Sequence, residues 1–137
     1  MLSIIPLIGL VVVVYNVIAI LGGVEWLTSP LVTLTLFSGA ELPVRLVDIL
    51  VVTALLFLFV ELLISVRAHT RAVINHSLSM IVLLVCVVEF LLVSWCGTAA
   101  FLYLTLIAMV DVMAGFSVSI IAARRDVGVD SDSSLLG

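Results

Sequence analysis

The feature that most constrains this chain is a series of apolar stretches, each long enough to cross a bilayer. A spanning helix needs about 20 apolar residues, because it rises about 1.5 Å per residue through a hydrocarbon core about 30 Å thick. Four segments fit, at residues 4–23, 46–66, 78–95 and 99–123. Backbone polar groups find no water inside a bilayer, so helices are the expected spanning elements. The sequence predicts an all-α membrane protein, a bundle of four transmembrane helices.

The composition supports a membrane protein and argues against other classes. Apolar residues make up 65% of the 137 residues and charged residues 10%, against about 45–50% and about 25% in soluble domains. The net charge of −4 and the absence of lysine argue against a nucleic-acid partner. The sequence carries no nucleophile–base grouping, glycine-rich phosphate loop or metal-ligand spacing. We therefore expect no enzymatic activity, no cofactor and no metal site, and a lipid bilayer as the main partner.

The five arginines predict the orientation. Arg67 and Arg71 lie between the second and third spans, Arg124 and Arg125 follow the fourth, and only Arg45 lies on the opposite side. The excess of basic residues on one side indicates that both termini are cytoplasmic. Residues 126–137 are acidic and rich in small residues, which predicts a disordered tail after a single membrane domain at residues 1–125.

The connection between the first and second spans, residues 31–46, is the only sizeable extramembrane segment. Thr33 and Thr35 alternate with apolar residues, the period of a strand, and "SGAE" supplies a turn before a return strand. Pro43 is tolerated only at a sheet edge. We predict a short periplasmic β-hairpin, with an interfacial helix or a re-entrant loop as the alternative.

Each predicted span contains one strongly polar side chain away from its ends, in chain order Asn16, Glu61, Glu89 and Asp111. A charge at the bilayer centre costs about 2.5–3.5 kcal/mol on insertion scales, so such groups turn inward or toward water. We therefore expect the four to converge on the bundle interior or on an interface between protomers. They are the candidate residues of an ion or proton path.

Small residues share helix faces with these polar groups. Helices in a membrane approach each other closely where side chains are small. The predicted helix-packing face comprises Ala108, Gly115, Ser119, Gly9 and Gly23.

The depths of Glu89 and Asp111 decide whether they are neighbours. Counted from the turn at Gly97, they lie about 12 Å and about 21 Å deep, but counted from the cytoplasmic end both lie about 20 Å deep. The sequence leaves their proximity open. If they are close, like-charge repulsion and burial keep at least one protonated at neutral pH.

Two functions are consistent with interior acids. The first is a proton or small-cation relay, favoured in an oligomer because one protomer of four short helices encloses little space. The second is a non-transporting accessory subunit or assembly factor of a larger membrane complex, in which the acids only hold helices together. Either function implies a homo-oligomer or a larger membrane-protein partner.

The segment "LFLFVELLISVRAHTR" followed by "LSMIVLLVCVVEFLLV" resembles the phosphate-starvation-inducible E family of small bacterial inner-membrane proteins. The resemblance covers mainly the second and third spans. Glu61, which follows aromatic residues near the cytoplasmic end of the second span, is the best single match. The chain departs from the family at Glu89, near which the family would have a basic residue. The resemblance implies a multi-pass protein of the bacterial inner membrane.

Overall fold

The structure, a computed structural model, describes residues 6–65 and 69–133. The side chains of residues 65, 69–76, 118, 119 and 121–133 are not described. Four helices and a two-stranded hairpin make up the described chain, as the sequence predicts. They are α1 (Leu7–Thr28), β1 (Pro30–Thr35), β2 (Glu41–Arg45), α2 (Leu46–Ser65), α3 (His69–Leu92) and α4 (Ala99–Ser133), with a 3-10 turn at Ser94–Cys96 between α3 and α4.

Three of the four helices contain a segment long and apolar enough to span a membrane: Leu7–Thr28, Leu46–Ile64 and Ala99–Ser117. Within the described residues, the apolar part of α3 is the shorter segment Ser77–Leu92. The predicted third span of residues 78–95 is therefore helical only to Leu92, where the chain enters the 3-10 turn. Three apolar helices indicate a membrane protein, whereas four crossings remain a prediction.

The last helix is longer than the sequence predicts. α4 continues through its apolar part to Ser133, so residues 126–133 are helical where we expected a disordered tail. Propagating an existing helix fixes one residue for each new hydrogen bond, which is easier than nucleating one. Residues 134–137 of the predicted tail lie outside the described residues.

The hairpin pairs β1 with β2 in antiparallel register, with Val32 opposite Val44 and Leu34 opposite Leu42. A hydrogen bond from the Gly39 N–H to the Leu36 carbonyl closes its turn. Gly39 has a φ of 81°, which lies in the region that favours glycine. The end of β2 leads directly into α2, where the Asp48 carboxylate accepts a hydrogen bond from the backbone N–H of Arg45 at 2.9 Å. This contact satisfies a donor at the start of α2.

Gly23 lies at a kink in α1 rather than at a helix contact. Its φ is 73°, and no heavy atom lies within 4 Å of the position a Cβ would occupy. The kink separates the straight part of α1 from the last turn before the hairpin. The other predicted packing positions fit better: Ala108 and Gly115 are buried in α4, and a Cβ on Gly9 would lie 3.0 Å from Val82. The Ser119 side chain lies outside the described set.

The helices pack in the order α1, α2, α4, α3, with α1 touching α3 only sparsely. The core follows the helical period, as in α2, whose residues Val47, Leu50, Ala54, Leu58 and Glu61 are buried. Gly9 lies close to Val82, and seven residues later on both helices Asn16 contacts Glu89. α1 and α3 therefore run parallel. The tight turn after α3 therefore makes α4 antiparallel to α1. α2 is also antiparallel to α1, because Glu61 near its end contacts Leu7 at the start of α1.

Candidate functional site

Asn16 is the centre of a polar cluster that joins α1 to α3 and to the 3-10 turn. Its amide nitrogen donates to a Glu89 carboxylate oxygen at 2.9 Å and to the Val12 carbonyl at 3.2 Å. Its amide oxygen accepts from the Trp95 indole N–H at 3.1 Å and from the Cys96 thiol at 3.6 Å. Asn16 thus uses both ends of its amide, and the contacts fix which end is which.

Tyr15 extends the cluster toward α4. Its hydroxyl donates to the Trp95 carbonyl at 3.0 Å, which uses its one proton. The Thr98 hydroxyl, 2.9 Å away, is then the donor to Tyr15 and itself accepts from the Phe101 N–H at 3.2 Å. The Tyr15 ring packs against the Phe101 ring with centroids 4.9 Å apart. The start of α4 is therefore held against the middle of α1.

Cys96 lies in this cluster, and its thiol is fully buried and free. Burial raises the pKa of the Cys96 thiol to about 11, and the negative charge of Glu89 adds to the shift. At neutral pH the group is therefore a protonated thiol. Only the protonated form can donate to Asn16, so the raised pKa agrees with the contact.

A groove of about 260 Å³ separates α1 from α3 beside this cluster. Its apolar walls include Val13 and Val17 of α1 and Val85 of α3, and Asn16 and Glu89 are its two polar lining residues. Asn16 and Glu89 are partly exposed rather than sequestered in the core. Two of the four sequence-predicted polar residues, Asn16 and Glu89, thus meet at an open groove.

Glu61 and Asp111 occupy the bundle interior, with exposed fractions of 4% and 1%. One Glu61 oxygen accepts from the backbone N–H of Leu7 at 2.7 Å, which places Glu61 at the start of α1. Tyr15 lies about 12 Å from Leu7 along α1. On α4, Asp111 lies ten residues beyond Phe101, about 15 Å toward the end of the bundle at which α1 starts. Because the Phe101 ring contacts the Tyr15 ring, Glu61 and Asp111 lie at nearly the same level of the bundle.

Ser79 of α3 belongs to this level as well. It lies ten residues before Glu89, about 15 Å toward the start of α1, and is 3% exposed. Its hydroxyl oxygen has no hydrogen-bond partner among the residues that the structure describes. We call Glu61, Ser79 and Asp111 the inner polar level, and Asn16, Glu89, Trp95 and Cys96 the outer polar cluster.

The two sets are separated along the bundle axis. Leu7 and Asn16 mark their positions on α1 and are nine residues apart, about 14 Å. Glu89 belongs to the outer set, because its described hydrogen-bond partner is Asn16. Asp111 lies at the level of Glu61 and belongs to the inner set. Among the described residues, no group of three or more His, Cys, Asp or Glu side chains has the arrangement of a metal site.

Sequence reasoning did not identify Tyr15, Trp95 or Thr98 as part of the cluster. Tyr15 offers one signal: it is the only phenol in the first apolar segment and directly precedes Asn16. The hydrogen bonds of Tyr15 join residues 80 or more positions apart. Helical periodicity reports which face a residue lies on, but it does not identify partners so far along the chain.

Comparison with known proteins adds no assignment: no family model, no curated protein and no solved structure matches this chain. The resemblance to the phosphate-starvation-inducible E family remains a prediction from the second and third apolar segments.

Proposed function

We propose that the chain is a small multi-pass membrane protein whose interior carboxylates pass, or couple to, protons or small cations. The observation that carries the proposal is the burial of Glu61 and Asp111 at one level, between helices apolar enough to span a membrane. Ionisable side chains in that setting are costly to insert, and their default interpretation is functional.

Glu89 extends the proposed path toward the other face of the bundle. It lies about 14 Å from the inner polar level along the axis, too far for direct proton transfer. The buried side chains of Thr105 and Cys86 fall between the two sets in chain position. A relay between them therefore needs water or these groups as intermediates.

An oligomer suits this function better than a single protomer, because four short helices enclose little space for water. The outward faces of all four helices carry exposed large apolar side chains, among them Leu21, Leu56, Leu92 and Met113. Contact between protomers through such faces would have two-fold symmetry in the commonest case. The resemblance favours the bacterial inner membrane as the location.

Proton flux into proteoliposomes tests the proposal. A pH dye is trapped inside, and a valinomycin-induced potassium potential drives protons across the membrane. We expect the protein to raise the flux above that of empty liposomes, and the Glu89→Gln, Asp111→Asn double variant to return it to that background. Glu25→Gln, which removes an exposed acid beyond the kink, is the matched control and should keep the original flux.

Circular dichroism and gel filtration establish that the double variant is folded before its flux is measured. Equal flux from the original protein and the folded double variant would refute the proposal. A loss of flux in the Glu25→Gln control as large as that in the double variant would also count against it.

The second candidate is a non-transporting accessory subunit or assembly factor. It is favoured by the structural use of two of the acids, since Glu61 binds the start of α1 and Glu89 binds Asn16. Capture of a larger partner in stoichiometric amount from native membranes, together with background flux, would select this function.

A further inference from the structure

The groove between α1 and α3 has two straight walls that follow from helical periodicity. On α1 it is lined at positions 9, 12, 13, 16, 17 and 20, one face of a helix, and on α3 at positions 81, 82, 85 and 89. The α1 wall runs from position 9 to position 20, eleven rises of about 1.5 Å and so about 17 Å in length. The groove is thus a slot along the bundle, suited to an extended chain.

Apart from Asn16 and Glu89, the lining of the slot is apolar and opens on the outer surface of the bundle. Val17 and Val85 are 47% and 46% exposed, and Ile20 at one end of the slot is 64% exposed. A molecule can therefore enter from the side, without passing through the interior.

The polar part of the slot offers acceptors. Both lone pairs of the Asn16 oxygen are engaged, by Trp95 and by Cys96. The Glu89 carboxylate uses one of its roughly four acceptor sites for Asn16. Arg45 in β2 is the one basic side chain that the structure describes, and it forms no ion pair with Glu89.

We propose that this slot binds a protonated primary amine that carries a single apolar chain, with the ammonium on Glu89 and the chain along the valine walls. An ammonium has three donors and complements a carboxylate that retains free acceptor sites. A fatty anion would meet the like charge of Glu89, and a neutral alcohol would gain no charge-assisted hydrogen bond. The proposal rests on the slot and holds whether or not the protein conducts protons.

Trp95 supplies the signal for a binding experiment, because its indole donates to Asn16 next to the proposed ammonium position. The chain has two tryptophans, so Trp26→Phe leaves Trp95 as the only one. The protein is placed in phosphatidylcholine nanodiscs and titrated with n-decylamine. n-Decanol and decanoate serve as the neutral and anionic ligands of the same chain length.

We expect a saturable change in Trp95 fluorescence with decylamine and none with decanol or decanoate. Glu89→Gln should weaken decylamine binding at least about tenfold, because it removes the charge-assisted contact. Val17→Phe should weaken it similarly by filling the slot. Val14→Phe is the matched control: Val14 is exposed on α1 outside the slot, and binding should not change.

Saturable binding of decanol equal to that of decylamine, with no effect of Glu89→Gln, would overturn the proposal and leave the slot as an apolar lipid contact. If Glu89→Gln does not fold, decylamine binding by Val17→Phe is compared with binding by Val14→Phe. Neither substitution removes a side-chain hydrogen bond, so the comparison tests the slot alone. Unchanged decylamine binding in Val17→Phe overturns the proposal.

A final experiment distinguishes a membrane lipid from a free lipophilic amine as the source of the ammonium group. Nanodiscs that contain phosphatidylethanolamine present the same ammonium chemistry on a lipid. Competition that weakens decylamine binding in proportion to this lipid supports the proposal with a membrane lipid as the ligand. Unchanged decylamine binding in these nanodiscs supports it with a free lipophilic amine.

Discussion

Asn16 shows how much one polar side chain can organise in an apolar setting. Its amide joins a carboxylate, an indole and a thiol from the third helix and the following turn. Lipid gives helices no hydrophobic drive to associate, so hydrogen bonds and close packing carry that role in membranes. The same residue holds Glu89 at the edge of the α1–α3 groove, which links packing to the proposed ligand site.

The Asn16–Glu89 contact can be measured by a double-mutant cycle with Asn16→Ala and Glu89→Ala. We expect a coupling free energy near the average of about 0.6 kcal/mol, and below the maximum of about 1.7 kcal/mol, for hydrogen bonds between membrane helices. The measurement is the free energy of unfolding in mixed detergent micelles, followed by circular dichroism.

The control cycle pairs Asn16→Ala with Glu25→Ala, which share no described contact. These two changes should add within about 0.3–0.5 kcal/mol, as independent sites do. A coupling between Asn16 and Glu89 no larger than that of the control pair would show that the hydrogen bond does not contribute to stability.

Among the elements, the hairpin is the one whose side chains are least covered by the rest of the molecule. Its register places Val32, Leu34, Leu42 and Val44 on one face, and Thr33, Thr35, Glu41 and Pro43 on the other. Leu34 and Leu42 are 50% and 49% exposed. A two-stranded hairpin alone is marginally stable in water, so the apolar face needs a further contact.

A fluorophore on the hairpin tests whether that contact is the membrane interface. We use Leu34→Cys on the apolar face and Thr33→Cys on the polar face, each labelled with NBD in a variant with both native cysteines replaced by alanine. In liposomes the label at position 34 should emit at shorter wavelength and resist quenching by iodide, because apolar faces partition into the interface. The label at position 33 is the matched control and should be quenched. Equal quenching at both positions would show that the hairpin stands away from the lipid.

At the scale of the element, the sequence predicted most of what depends on local pattern. The predicted second span, residues 46–66, agrees with α2 at Leu46–Ser65, and the predicted hairpin at residues 31–46 agrees with strands from Pro30 to Arg45. The kink at Gly23 was not predicted, since a positive φ leaves no trace in hydrophobic periodicity. The extension of α4 to Ser133 was missed because composition does not show where a helix will stop.

At the scale of the whole molecule, the arrangement of the polar groups depends on contacts that pattern does not contain. The sequence predicts that all three interior acids lie on inward faces. Glu61 and Asp111 are buried, whereas Glu89 is partly exposed at the α1–α3 groove. The pairing of Asn16 with Glu89 depends on how far α3 slides along α1. The Tyr15 hydroxyl joins α1 to Trp95 and Thr98 in the connection that follows α3, and local periodicity does not reveal such distant partners.

The proposed function requires all four helices to cross the membrane, so that the carboxylates lie within it. The apolar part of α3 is the shortest of the four, so α3 is the helix that must be tested. If α3 crosses, the hairpin and the residues after α4 lie on opposite sides. If α3 does not cross, three crossings place them on the same side.

Cysteine labelling decides between these arrangements. Ser38→Cys in the hairpin turn and Ser134→Cys after α4 are made in the variant without native cysteines, and sealed right-side-out vesicles are treated with a membrane-impermeant maleimide. We predict that position 38 is labelled at once and that position 134 is labelled only after the vesicles are permeabilised. Labelling of both positions from the same side would contradict four crossings, and with them the account of carboxylates enclosed by a four-helix membrane bundle.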